Sequence, residues 1–262
     1  MCFCKLLVKI LALCTLICIF ALKMLNPRIM KKIFLLMCLL VSVVAYAQKD
    51  VTKFLGIPVD GTKAEMKKKL TSKGFTYIPK DDLFKGEFNG SEVFLSIVTN
   101  NNKVWRISLR DAITCGETDI KIRFNKLCNQ FAKNKKYMPV NWGEKEYTIP
   151  ESEDISYEML VNNKRYEAAY FQAIDPEMVD TLALQNRVRE VLLRKYTQEV
   201  LDNPTDEQRK EIASIIENEQ ADIALDLVEK KIVWFMIGER FGQYYIIMYY
   251  DNEYNHSDGE DL

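Results

Sequence analysis

Acyl transfer through a Ser-His-Asp or Cys-His arrangement needs an imidazole held within hydrogen-bond reach of its nucleophile. This sequence has one histidine, His256, in the polar, acidic stretch 252–262, which is expected to be a flexible tail. Histidine-based catalysis is therefore not expected. Zinc sites built from several His and Cys are equally short of ligands, so no metal site is expected. Residues 48–262 contain no Walker loop, dinucleotide-binding glycine fingerprint, HExxH or CxxC. No cofactor is expected, and no catalytic residue is assigned.

Seven cysteines occur, but Cys2, Cys4, Cys14, Cys18 and Cys38 lie in the first 48 residues, leaving Cys115 and Cys128. If a helix begins near Glu117, Cys128 lies about 16 Å along its axis at 1.5 Å per residue. A disulfide needs Cα atoms within about 7 Å, so two free thiols are expected. Cys115 at a helix start could be an acidified thiol; with no base nearby, a small residue at a strand-to-helix corner is the preferred reading.

Paired carboxylates can hydrolyse glycosidic bonds, and Asp81-Asp82 and Glu151-Ser152-Glu153-Asp154 qualify by number. Adjacent loop acids are more often solvated surface, and the run at 151–154 lacks the alternating oxygens and glycine of a calcium loop. Aromatic residues are the remaining lead. Trp142 in a polar loop, and Tyr245 and Tyr249 on one face of a terminal strand, are the candidate binding residues, because Trp and Tyr suit half-wet contacts. Tyr244, Ile246, Met248 and Tyr250 make the other face equally apolar, so a central strand buried on both sides is the first reading, and a face that meets a partner or ligand the second.

The elements that must carry these residues follow from spacing. Thr62 with Glu65 forms a capping box for a helix over 63–73 that buries Met66 and Leu70 and stops at Gly74. Asn89-Gly90 turns a hairpin between 83–88 and 91–98. A strand over 103–110 alternates, with Trp105, Ile107 and Leu109 on the core side and Arg106, Ser108 and Arg110 on the other. A helix over 117–133 carries Ile120, Phe124, Leu127, Cys128 and Phe131. Asn162-Asn163 reads as the turn of a second hairpin, 156–161 with 164–172. Asp175-Pro176 opens a long helix broken at Asn203-Pro204, and Thr205 with Gln208 caps another. A third hairpin, 232–237 with 243–251, turns at 238–242. The expected fold is α+β, a mostly antiparallel sheet of three hairpins with about four helices mainly on one face. No low-complexity linker divides 48–251, so one domain is expected, with Asp175-Pro176 the place for a boundary if there are two.

Residues 1–48 hold six basic residues and no acidic one. Met30-Lys31-Lys32, the apolar run 33–44 and Ala45-Tyr46-Ala47 have the form of a secretory signal peptide cleaved before Gln48. Residues 1–29 are then an upstream translation or extra hydrophobic leader; the alternative is a membrane anchor through residues 6–47. Of 36 basic and 37 acidic residues in the chain, 30 and 37 remain after residue 48, a net charge of −7. That charge repels nucleic acid and anionic membranes.

Residues 54–63 (Phe-Leu-Gly-Ile-Pro-Val-Asp-Gly-Thr-Lys), the strand start at Phe75, 86–90 (Gly-Glu-Phe-Asn-Gly) and 155–159 (Ile-Ser-Tyr-Glu-Met) resemble a group of uncharacterised exported proteins of Bacteroidetes-type bacteria. The resemblance covers most of 50–175 and brings no assigned activity. A helix followed by a β-meander is also similar in architecture to small periplasmic inhibitor and envelope-assembly modules, which does not give function. The expectation is a periplasmic, cell-surface or extracellular protein that binds a protein or envelope component, without stable membrane insertion once the leader is cleaved. The alternative is an Asp/Glu-dependent hydrolase of an envelope or glycan substrate.

Overall fold

The computed structural model describes residues 49–141, 143 and 146–256. The chain divides between Gln48 and Lys49, and the described residues all belong to the second unit. The leader, Trp142 and residues 257–262 lie outside the described residues.

The chain starts with a two-stranded hairpin, β1 (Lys53–Phe54) and β2 (Ile57–Pro58), followed by helix α1 (Lys63–Ser72). Thr62 and Glu65 make the expected capping box, and Met66 and Leu70 are its buried residues. A four-stranded meander follows: β3 (Thr76–Ile78), β4 (Leu83–Phe88), β5 (Ser91–Asn100) and β6 (Lys103–Asp111). Its turns Asn89-Gly90 and Asn101-Asn102 have positive φ at both residues, the conformation of a type I′ turn.

Helix α2 (Glu117–Lys133) leads to edge strand β7 (Tyr137–Pro139), then helix α3 (Ile155–Val161) and strand β8 (Glu167–Gln172). Between β8 and β9 run a 3₁₀ turn (Pro176–Met178) and helices α4 (Thr181–Lys195), α5 (Gln198–Asp202) and α6 (Asp206–Glu229). The chain returns through β9 (Ile232–Arg240) and β10 (Gln243–Asp251). All strands from β3 to β10 join one antiparallel sheet in the order β3-β4-β5-β6-β10-β9-β8-β7. The β6–β10 pairing closes the first meander onto the last hairpin. The fold is α+β, with a mostly antiparallel sheet and, among the described residues, six helices.

Three local expectations are corrected. Residues 155–161 form a helix, not a hairpin strand: Asp154 caps it through the Tyr157 amide at 2.8 Å, and Ile155 is fully buried. Asn163 has φ 51°, so its tolerance of the left-handed region ends a helix instead of turning a hairpin. The last hairpin turns over two residues, Phe241-Gly242, not over 238–242. The long helix expected from Asp175-Pro176 begins as a 3₁₀ turn and restarts with Asp180 as its cap.

One face of the sheet is the core. Leu95, Ile107, Phe235 and Ile246 are buried there, under α1 and α2, which contact the central strands. The α2 stripe of Ile120, Phe124, Leu127, Cys128 and Phe131 is buried as its spacing predicts. Arg123 ties the helix to β6 by a charge-assisted hydrogen bond to Asp111 Oδ2 at 2.7 Å. Phe54 of the β1–β2 hairpin seats its ring on Tyr250, 5.0 Å between centroids.

Candidate functional site on the open sheet face

The opposite face of the central strands is only half-buried, so β10 is not the strand buried on both sides that its two apolar faces suggested. Arg106 and Ser108 of β6, Tyr245, Ile247 and Tyr249 of β10, and Trp234 and Met236 of β9 stand on it. Register brings them together: Tyr249 lies opposite Trp234 and Ser108, Ile247 opposite Met236 and Arg110, and Asp251 opposite Arg106. Cross-strand pairs such as these are the unit of side-chain interaction on a sheet.

Trp105 reaches this face through a break in the alternation. Val98 pairs with Arg106 and Thr99 with Val104, so Trp105 has no residue opposite. An extra residue of this kind re-aims a side chain and kinks the strand. Val104 takes the core position and is fully buried; Trp105 stacks against Arg106, 4.3 Å from guanidinium to ring. The alternation expected to place Trp105 beside Ile107 and Leu109 is thus overturned by one inserted residue.

The outcome is a row of planar groups. The ring centroid of Trp105 is 4.7 Å from that of His256. Arg106 lies 4.5 Å from the Tyr249 ring, and Tyr249 stacks on Trp234 at 4.3 Å with 28° between planes. A guanidinium over aromatic faces gains cation–π attraction in addition to its packing. Asp251 locks the row: its carboxylate accepts Arg106 Nε and Nη2, each at 2.6 Å, and Trp234 Nε1 at 3.0 Å. Asp251 is 2% exposed. A charge so buried is tolerable only when paired and hydrogen-bonded, and here one carboxylate fixes a cation and an indole together.

His256 is not in a frayed segment. Asn252 is fully buried and donates through Nδ2 to Val59 O at 2.7 Å, while its amide meets Trp105 O at 2.7 Å. Asn255 donates to Asp60 Oδ1 and Val104 O, at 2.8 and 2.9 Å. Residues 252–256 therefore lie across the β6 bulge and set His256 against Trp105, with Glu253 at 3.6 Å. Neither neighbour is a nucleophile that an imidazole could activate.

The binding candidates separate. Tyr249 is central to the row. Tyr245 lies four residues along the same face, its ring over Gly238, where a Cβ would come within 2.7 Å; a glycine covered by a cross-strand aromatic is a known sheet device. Trp142 falls outside the described residues. Sequence reasoning missed Arg106, Trp234, Asp251 and His256 as partners. The available signal was an Arg facing away from the core on an alternating strand, next to a Trp.

Three of the acids that could have paired for hydrolysis, Asp82, Glu153 and Asp154, are occupied structurally. Asp82 accepts from Lys63, Lys67 and Tyr77, which hold its carboxyl well below the usual range. Glu153 accepts from Lys164 and Tyr166, which lower it likewise, and Asp154 is a helix cap. An acid kept ionised in this way cannot serve as the proton donor of a glycosidase.

Cys115 and Cys128, the cysteines among the described residues, are free. Burial, with Asp119 and Asp111, pushes the Cys115 thiol up, the reverse of acidification by a helix start. Burial pushes Cys128 up to about 12. Among the described residues, no cluster of three or more His, Cys, Asp or Glu could hold a metal, and no helix is long and apolar enough to cross a membrane. Comparison with protein-family models, with curated proteins and with solved structures gives no match to the chain.

Proposed function

We propose that the protein is exported, loses its leader before Gln48, and acts outside the cytoplasm by binding a partner protein through the open face of its sheet, without catalysing a reaction. The observation that carries this reading is the row His256–Trp105–Arg106–Tyr249–Trp234, half-buried except for the exposed His256 and held by the buried Asp251. Trp, Tyr and Arg supply most hot-spot energy at protein interfaces. Side chains already held in one arrangement lose less entropy on binding.

Charge narrows the partner. Arg110, exposed on the same face, contacts the Phe94 ring at 5.9 Å and has no ion-pair partner among the described residues. A partner surface with acidic groups beside apolar ones fits Arg110 and the Ile247–Met236 patch. Uncompensated charge of this kind raises association rates and selects partners.

The test is site-specific photocrosslinking in the producing cells. A benzophenone amino acid at Ile247 is expected to give one discrete protein adduct, removed by Arg110→Glu. The same probe at Lys68, exposed on α1 at the other side of the sheet, is expected to give none. No adduct from Ile247, or the same adducts from Lys68, overturns the reading. Intact mass of the fractionated protein checks export: a species starting at Gln48 is expected, and retention of residues 1–47 removes the leader assignment.

A further inference from the structure

A cavity of about 820 Å³ opens on the helix-covered side of the sheet, away from the Arg106 row. That volume lies within the range of small-ligand sites, about 300–1,000 Å³. Its apolar wall is aromatic: Phe88, Phe131, Tyr137 and Tyr250. Its charged wall is formed by Lys53, Lys136 and Lys231, with Asp175 the one carboxylate among its lining residues.

The three lysines are held differently. Lys231 is 2% exposed, and Nζ donates to Asp50 Oδ2 at 2.6 Å and to Ala173 O at 2.7 Å. An ammonium has three hydrogens, so one remains beyond those two acceptors. Burial pushes the Lys231 pKa down despite Asp50. Asp50 itself does not line the cavity. Lys53 is fixed by Asp175 at 2.9 Å and lies 4.0 Å from Asp50. Lys136 is exposed and has no ion-pair partner among the described residues. The C-terminal end of α2 brings about half a negative charge to this wall; the full charge on Lys136, three residues past the helix, outweighs it.

We infer that this cavity is a second site, which takes a small organic anion: a carboxylate, sulfonate or phosphate carried on an aromatic body. The body would lie against Phe88, Phe131 and Tyr137, and the anion would face Lys136 and the free hydrogen of Lys231. This site is independent of the sheet face, and either reading can fail without the other.

The test uses the purified protein and the fluorescent aromatic sulfonate 8-anilinonaphthalene-1-sulfonate, with uncharged N-phenyl-1-naphthylamine as comparator. Saturable binding of one sulfonate per chain is expected. Lys136→Glu, which breaks no side-chain hydrogen bond or ion pair among the described residues, should weaken it about fivefold or more, the effect of roughly 1 kcal/mol of charge interaction. The same substitution should leave the uncharged comparator unaffected. Lys231→Met should abolish sulfonate binding; circular dichroism shows whether that variant folds, and Lys136→Glu decides the matter if it does not. Tyr249→Ala should leave binding intact. Absence of saturable binding, indifference to Lys136→Glu, or loss in Tyr249→Ala would each overturn the inference, the last by moving the probe to the sheet face.

Discussion

Strand β10 presents nearly the same residue types on its two faces, with different outcomes. Tyr244, Ile246, Met248 and Tyr250 are between 3% and 5% exposed; Tyr245, Ile247 and Tyr249, interleaved with them, are half-buried. The difference comes from elsewhere in the chain. The first face lies under α2, whose five-residue stripe needs an apolar surface to pack on. The second carries its cross-strand neighbours Trp234, Met236 and Ser108 and the Arg106 side chain held by Asp251. Composition alone does not distinguish a core face from a recognition face; what packs on each does.

The largest expected effect tests that contrast directly. Phe235 is fully buried and packs on Phe124 and Phe131, at 5.2 and 5.5 Å. Phe235→Ala should cost about 3–5 kcal/mol in denaturant unfolding, whereas Tyr249→Ala on the other face should cost only about 1 kcal/mol. Equal losses would make both faces equally structural and remove the case for recognition.

Asp251→Asn addresses what organises the open face. Removing one partner of a buried ion pair costs about 3 kcal/mol at the lower end, fitting here because the Arg106 side chain keeps 23% exposure. Chemical unfolding should show that loss, and the tryptophan emission of the folded state should shift as the anion beside Trp234 is neutralised. An unchanged spectrum would mean that the row is held by stacking alone.

A smaller effect sharpens the assignment of the acids. Asp82 and Glu153 have folded pKa values depressed by the cations and phenols that they accept from. The folded state then binds fewer protons than the unfolded chain, so stability rises with pH through this window. Their contribution is fully present above the unfolded carboxylate range near about 4 and is lost as pH falls below it. Asp82→Asn should cost less than about 1 kcal/mol at neutral pH, since its side chain is 46% exposed and its partners are screened. The cost should vanish towards the acid end of a pH series of unfolding curves. A cost that persisted at low pH would mean that Asp82 acts through shape and not charge.

Legibility in the sequence followed the range of the interactions. Helix α1, with its capping box, α2, with its apolar stripe, and the Asn89-Gly90 turn were readable because their causes lie within a few residues. Residues 155–161 misled because Asn162-Asn163 serves a helix end as well as a hairpin turn; Asp154 as a cap was the signal for the helix. Of the open face, Tyr245 and Tyr249 were readable from strand alternation. Trp105 was not, since the bulge that turns it outward depends on the register against β5.

The sequence by itself determined the α+β class, two helix boundaries, the Asn-Gly turn and the separation of a basic, apolar first segment from an acidic remainder. Those rest on periodicity, capping and charge, which are local. Only the tertiary structure decided that Asp251 would meet Arg106 across 145 residues, that Asp50 would meet Lys231 across 181, and that His256 would lie on Trp105. Such pairs require two strands to come together in one register, and no local pattern encodes the register of distant strands.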